Sequence, residues 1–279
     1  MAVFSLFQKT LNAEVSLVEI SNAMANATIS LFGGQVLHFR PKRDNRERLF
    51  VSPAALYDGS KSIRGGVPLC WPWFGAPPRE ANLPSHGYVR TRRWLLLSTE
   101  NSLQCTRLVL TPETLTHPAQ PQGLALELEI LIGEKLEIKL RTTNRGKEDQ
   151  PLNCALHSYF AVSDIAQVSL EGLEGTYSDK TRDWNRFETP APYTIEGETD
   201  RIHLQPAKTV VLRDPQGDVH ISSQGHDSIV VWNPGPGAEQ HFADLAPDDY
   251  RHMLCVETAL TQPFILAPDQ THTLTQIID

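Results

Sequence analysis

Two side chains in this sequence occupy settings where their chemistry is costly unless it is used. His157 lies inside the apolar run Asn153 to Val162, NCALHSYFAV, and Glu257 lies inside Met253 to Ala259, MLCVETA. An imidazole in a partly desolvated setting titrates within reach of neutral pH and can exchange protons with a bound molecule. A carboxylate on an apolar strand is unfavourable unless it is paired or working. Strand alternation puts Cys255, Glu257 and Ala259 on one face, with Val256 and Thr258 on the other. Each residue also has a plain structural reading, His157 as a satisfied core histidine and Glu257 as an outward-facing strand-end acid.

Three further segments carry groups suited to a sugar or its phosphate. Ser62 to Gly75, SIRGGVPLCWPWFG, sets Arg64 before Gly65 and Gly66 and follows with Trp71, Trp73 and Phe74. Aromatic faces stack on sugar C–H groups, a guanidinium binds oxygens bidentately, and paired glycines let backbone approach a ligand. The alternative is a Pro-rich loop whose tryptophans plug the core. Pro84 to Trp94, PSHGYVRTRRW, offers His86, Arg90, Arg92 and Arg93. If it is extended from Gly87, Arg90 and Arg92 share one face, and Arg90 can join Arg64 on a dianionic phosphate. The alternative is a solvated basic edge. Asp200, in Glu198 to His203, is either an acceptor for sugar hydroxyls or a turn residue before a strand.

Other chemistries lack support. There is no GxGxxG, P-loop, HExxH or GxSxG pattern, so neither a cofactor nor a metal is expected. The formal net charge of −8 argues against nucleic acid and anionic membranes as partners. Cys70, Cys105, Cys154 and Cys255 form no CxxC pair and read as reduced thiols. The first residues show no signal-peptide pattern, and no apolar run reaches the ~18 residues of a membrane span. A cytoplasmic monomer is expected.

The elements that must position these groups are strands. From Leu124 to Leu140, apolar residues alternate with Glu127, Glu129, Glu137 and Lys139 about Gly133-Glu134, which predicts a hairpin with a polar outer face. Ala27 to Phe39 reads as two strands joined at Gly33-Gly34. Trp94–Ser98, Thr106–Leu110, Thr209–Leu212, Ile229–Trp232, Leu254–Thr258 and Thr271–Ile277 also read as strands, separated by Pro/Gly turns. Short helices are expected only at Ser52–Tyr57 and Asp244–Arg251. With no linker or repeat, residues 1–279 are expected to form a single all-β domain.

The ordered segments ATISLFGGQ, SIRGGVPLCWPWFG, HGYVRTRRW, LHSYFAV, LEGLEGTYSDK, TDRIH, VVWNP and VETA, spread over nearly the whole chain, resemble the aldose 1-epimerase superfamily. Within it they resemble the glucose-6-phosphate 1-epimerase, or hexose-6-phosphate mutarotase, branch. The resemblance implies a large antiparallel β-sandwich of the galactose-mutarotase type and a small-molecule sugar phosphate as substrate. It implies His157 as the acid that protonates the ring oxygen and Glu257 as the base at the C1 hydroxyl. It further implies His86 as a second active-site histidine, Asp200 as a hydroxyl ligand, Arg64 and Arg90 as phosphate ligands, and Gln35 as an additional sugar contact.

Overall fold

A computed structural model describes residues 4–77, 83–115 and 123–279. Two large antiparallel sheets face each other. One contains eight strands. Its main path runs Asn185–Glu188, Thr176–Asp179, Thr199–His203, Ser228–Asn233, Met253–Leu260, Cys154–Leu156 and Leu69–Cys70, and Tyr159–Ala161 also pairs with Met253–Leu260. The other has nine strands. At its centre are Val219–Gln224, Thr271–Ile278, Leu136–Asn144 and Leu124–Ile132. A four-stranded meander, Ser5–Thr10, Ser16–Ser21, Ala25–Ser30 and Gln35–Pro41, precedes both. The all-β sandwich expected from the alternation is therefore present.

The charged hairpin shows why alternation was decisive. Leu124, Leu126, Leu128, Ile130 and Ile132 are buried, while Glu127 and Glu129 meet Arg141 and Arg107 on the outer face. Its loop is one residue longer than the two-residue loop expected, since Ile132 pairs with Leu136. The two strands about Gly33 and Gly34 also form, with positive φ of 83° and 61° at the turn.

The seam between the large sheets is partly polar. Gln276 donates from Nε2 to the Thr258 hydroxyl at 2.9 Å and to the Val256 carbonyl at 3.2 Å, and Thr258 also meets Ser223 at 2.6 Å. Trp71 donates its indole N–H to Thr142 at 3.0 Å. Buried hydrogen bonds of this kind are costly to break, so they fix sheet register as well as spacing.

Neither segment expected to be helical forms an α-helix. Ser52–Tyr57 is a turn, because the Ser52 hydroxyl accepts the Ala54 N–H at 3.0 Å and donates to Asp249 at 2.6 Å. Only Asp249–Arg251 of the second segment is helical, as one 3₁₀ turn. The Asp249 carboxylate accepts the Ala246 N–H at 2.7 Å, giving that backbone an alternative to an α-helical ladder. Among the described residues no helix is long and apolar enough to cross a membrane.

Candidate active site

Strand Met253–Leu260 is buried along its whole length, and its two faces have different tasks. Leu254 and Val256 join the main core between the sheets, and Thr258 joins the Gln276 network. Met253, Cys255 and Glu257 point to the opposite side, as the sequence alternation required. Register places Val230 opposite Glu257 and Trp232 opposite Cys255 on one side, with Tyr159 opposite Cys255 on the other. Asp200 pairs with Trp232 one strand further out.

His157 lies between the strands Cys154–Leu156 and Tyr159–Ala161. Its backbone N–H donates to the Pro68 carbonyl at 3.0 Å, and Ser158 turns inward, where its carbonyl accepts the Val256 N–H at 3.2 Å. This break in the strand delivers the imidazole to the face that carries Glu257. The His157 Nε2 to Glu257 Oε1 distance is 3.4 Å, and both residues are buried. Among the described residues, His157 Nδ1 and Glu257 Oε2 have no hydrogen-bond partner.

Rings enclose the pair. Tyr159 stacks on His157 at 5.1 Å, while His86 and Trp232 meet it edge-on at 5.6 and 5.9 Å. Phe74 packs on His86 and Phe242 on Trp232. His86 has φ 64°, and its Nδ1 accepts the Gly75 N–H at 3.3 Å. The neutral ring therefore carries its proton on Nε2.

The electrostatics of the pair favour uncharged forms. Burial pushes the Glu257 carboxyl well above its usual range and Asp200 adds to this, while Lys180 and Arg90 oppose it. Burial holds the His157 imidazole well below its usual range, and His86, Arg90 and Arg64 reinforce that. His86 is lowered to about 3, first by burial and then by Arg90, Lys180 and Arg64. A carboxylic acid beside a neutral imidazole holds one mobile proton, the same count as a carboxylate beside an imidazolium. Proton transfer across the contact exchanges these two states.

The other expected site residues fall into place less simply. Arg64 donates to the Tyr159 hydroxyl at 3.0 Å and to Asp244 at 3.1 Å, and its guanidinium lies 5.0 Å from the Phe242 ring centre. Gly65 and Gly66 admit backbone rather than ligand. A Cβ at these positions would stand 2.3 Å from the Phe50 carbonyl oxygen and 2.2 Å from that of Val36. Arg90 is on the 3₁₀ turn Val89–Thr91, so the extended geometry expected for Arg90 and Arg92 does not occur. Its guanidinium donates to the Ser85 carbonyl at 2.9 Å. Asp200 pairs with Lys180 at 2.7 Å. Gln35 is fully buried, and its amide donates to the carbonyls of Ile63, at 3.0 Å, and Gly65, holding the Arg64 loop.

Lys180, Trp232, Phe242 and Asp244 were not singled out from sequence. Trp232 was within reach, because alternation along Ser228–Asn233 puts it on the face of Val230. Lys180 follows Asp179, whose carboxylate caps the turn by accepting the Thr181 N–H at 3.0 Å. Nothing local in the sequence signals that this turn faces Asp200.

Comparison with known proteins agrees with the fold. The sequence profile of the family described as aldose 1-epimerase matches residues 16–279. A protein of Escherichia coli K12 named "Putative glucose-6-phosphate 1-epimerase" is 33% identical over 251 residues, which cover 88% of this chain and 83% of the relative. The crystal structure of a protein from Salmonella typhimurium, titled as a putative mutarotase, superposes with a TM-score of 0.90 at 29% identity, covering 98% of this chain and 92% of that one. A galactose mutarotase-like protein of Clostridium acetobutylicum shares the fold, with a TM-score of 0.78 at 13% identity, covering 99% and 98% of the two chains.

Proposed function

The chain belongs to the aldose 1-epimerase family and is an isomerase, and we propose on that premise that it interconverts the α and β anomers of a hexose 6-phosphate, glucose 6-phosphate first among them. The observation that carries this reading is the buried 3.4 Å contact between His157 and Glu257 inside a wall of aromatic rings.

Opening the ring needs a proton taken from the C1 hydroxyl and one delivered to the ring oxygen as the C1–O5 bond breaks. The pair holds the one proton required. With the proton on His157, the imidazolium serves the ring oxygen and the Glu257 carboxylate receives the hydroxyl proton. Rotation about C1–C2 presents the other aldehyde face, and the reverse transfers close the ring. Each such group contributes about 10²–10⁴-fold. Lys180 and Arg90 favour the Glu257 carboxylate, and a phosphate dianion would offset Arg90 and Arg64, easing protonation of His157. Phosphate binding at the far end of the sugar would thereby prepare the acid that acts at the ring.

Anomer exchange followed by NMR tests the reading. Wild-type protein should accelerate exchange of glucose 6-phosphate, and Glu257→Gln and His157→Ala should each remove most of that acceleration. If both variants exchange at the wild-type rate, the assignment is wrong.

One observation favours a second reading, in which the substrate is an unphosphorylated aldose. Arg64 is already balanced by Asp244, which leaves less positive charge for a phosphate than the sequence implied. Equal kcat/KM for glucose and glucose 6-phosphate, with Arg64→Ala harmless, would establish it.

A further inference from the structure

The face of Met253–Leu260 that carries Glu257 also carries Cys255, which the proton transfer does not use. One ligating atom each from His157, Cys255 and Glu257 lies within 4.8 Å of the others, and all three residues are buried. In a tetrahedral zinc site with Zn–N and Zn–O bonds of about 2.0–2.2 Å, the N···O edge is about 3.3–3.5 Å. The His157 Nε2 to Glu257 Oε1 separation of 3.4 Å matches that edge. The longer Zn–S bond of about 2.3 Å places a thiolate within about 3.6 Å of each neighbour, so the sulfur needs to close by at most about 1.2 Å. Among the described residues, Glu257 Oε2 and His157 Nδ1 have no hydrogen bond to lose.

We propose that His157, Cys255 and Glu257 form a three-ligand site for a thiophilic divalent cation, Zn²⁺ by preference, and that its occupation stops turnover. A nitrogen, a sulfur and an oxygen select zinc or cadmium over magnesium or calcium, which favour all-oxygen shells. Three protein ligands leave a fourth position for water or a sugar hydroxyl. As ligands, a thiolate and a carboxylate bring two negative charges to match the dication, and the imidazole supplies a lone pair. Arg64, Arg90 and Lys180 oppose the cation, and Asp200 and Asp244 partly offset them. The inhibition rests on the proton-transfer reading above, whereas the coordination does not.

The experiment uses the full chain, stripped with a chelator and returned to metal-free buffer. Co²⁺ is added as a spectroscopic probe, and Zn²⁺ is titrated by calorimetry and by its effect on anomer exchange. Wild-type protein should bind one equivalent of zinc, show a thiolate-to-cobalt charge-transfer band, and lose exchange reversibly, with the sugar phosphate competing. Mg²⁺ and Ca²⁺ should do neither. Cys255→Ser and Cys255→Ala should keep their metal-free exchange rate, lose the cobalt band and need at least about tenfold more zinc for inhibition. A cobalt band retained in both variants, or equal zinc sensitivity of variant and wild type, overturns the site. A band that disappears with Cys255 alongside zinc-insensitive exchange overturns the inhibitory role. If metal-free protein exchanges no sugar at all, the functional reading falls, and the band still decides the coordination.

Discussion

Arg64 donates from Nη2 to Asp244 Oδ1 at 3.1 Å, so one of the guanidiniums that act on His157 is already ion-paired before substrate arrives. If the substrate is phosphorylated, the phosphate must share this guanidinium with Asp244. Arg64→Ala should raise KM for glucose 6-phosphate about 10–100-fold, the range for a charged hydrogen bond, and leave that for glucose nearly unchanged. Asp244→Asn should lower KM for the phosphorylated sugar. Steady-state polarimetry with both sugars checks this, and equal effects on both would exclude a phosphate at Arg64.

Glu257→Gln should separate function from stability. The carboxyl titrates well above 4.5 in the fold, so the folded protein binds a proton that the unfolded chain releases. Stability from this group is therefore greatest below about pH 4.5 and declines as pH rises toward the folded value. Glutamine mimics the protonated form without that decline. The variant should lose about 10²–10⁴-fold in exchange rate and melt no lower than wild type at pH 8. A large fall in melting temperature would mean that Glu257 is chiefly structural.

The pH profile should depend on the phosphate. Arg64 and Arg90 both disfavour a charged His157, and a bound dianion offsets them. The pair should then keep its proton to higher pH with glucose 6-phosphate than with glucose. The alkaline limb of kcat, compared for the two sugars, should move upward with the phosphorylated one. Coincident limbs would show that the phosphate sits too far from the pair to act on it.

Acid should weaken the fold through a histidine outside the site. His203 is fully buried against the Tyr193 hydroxyl, at 3.0 Å, and burial lowers it from 6.5 to about 3. Below about pH 6.5 the unfolded chain takes up a proton that this ring refuses, so stability falls as pH drops, by about 1.4 kcal/mol per unit down to about pH 3. Denaturant melts at pH 7 and pH 5 should show the loss, and His203→Gln should make it smaller. An unchanged acid slope in the variant would refute the assignment.

Sequence reasoning reached the fold because alternation is local. Leu126, Leu128 and Ile130 declare their face through their immediate neighbours, and so do Cys255 and Glu257. His157 was harder, since a histidine in an apolar run is chemically ambiguous until its partner is known, and Glu257 lies 100 positions away. Its role came from the family resemblance rather than from its neighbours. Asp244 with Arg64 and Lys180 with Asp200 stayed hidden for the same reason, because each ion pair is made by the tertiary fold and not by sequence proximity. The 3₁₀ turn at Arg90 was missed because a basic run after glycine resembles a strand, whereas here Thr91 N–H returns to the Tyr88 carbonyl at 3.2 Å.

The two halves of the site differ in how freely they can change over generations. Glu257 occupies a strand whose opposite face is tied to Gln276, and a slip of one residue would exchange the two faces. An insertion there would separate His157 from Glu257, so the proposed proton-transfer pair tolerates no shift of register. Arg64, Arg90 and Lys180 sit on a loop and two short 3₁₀ turns rather than on paired strands. If these three residues hold the substrate as proposed, a lineage can exchange one sugar for another by editing these connections, and mutant libraries aimed at new substrates belong there.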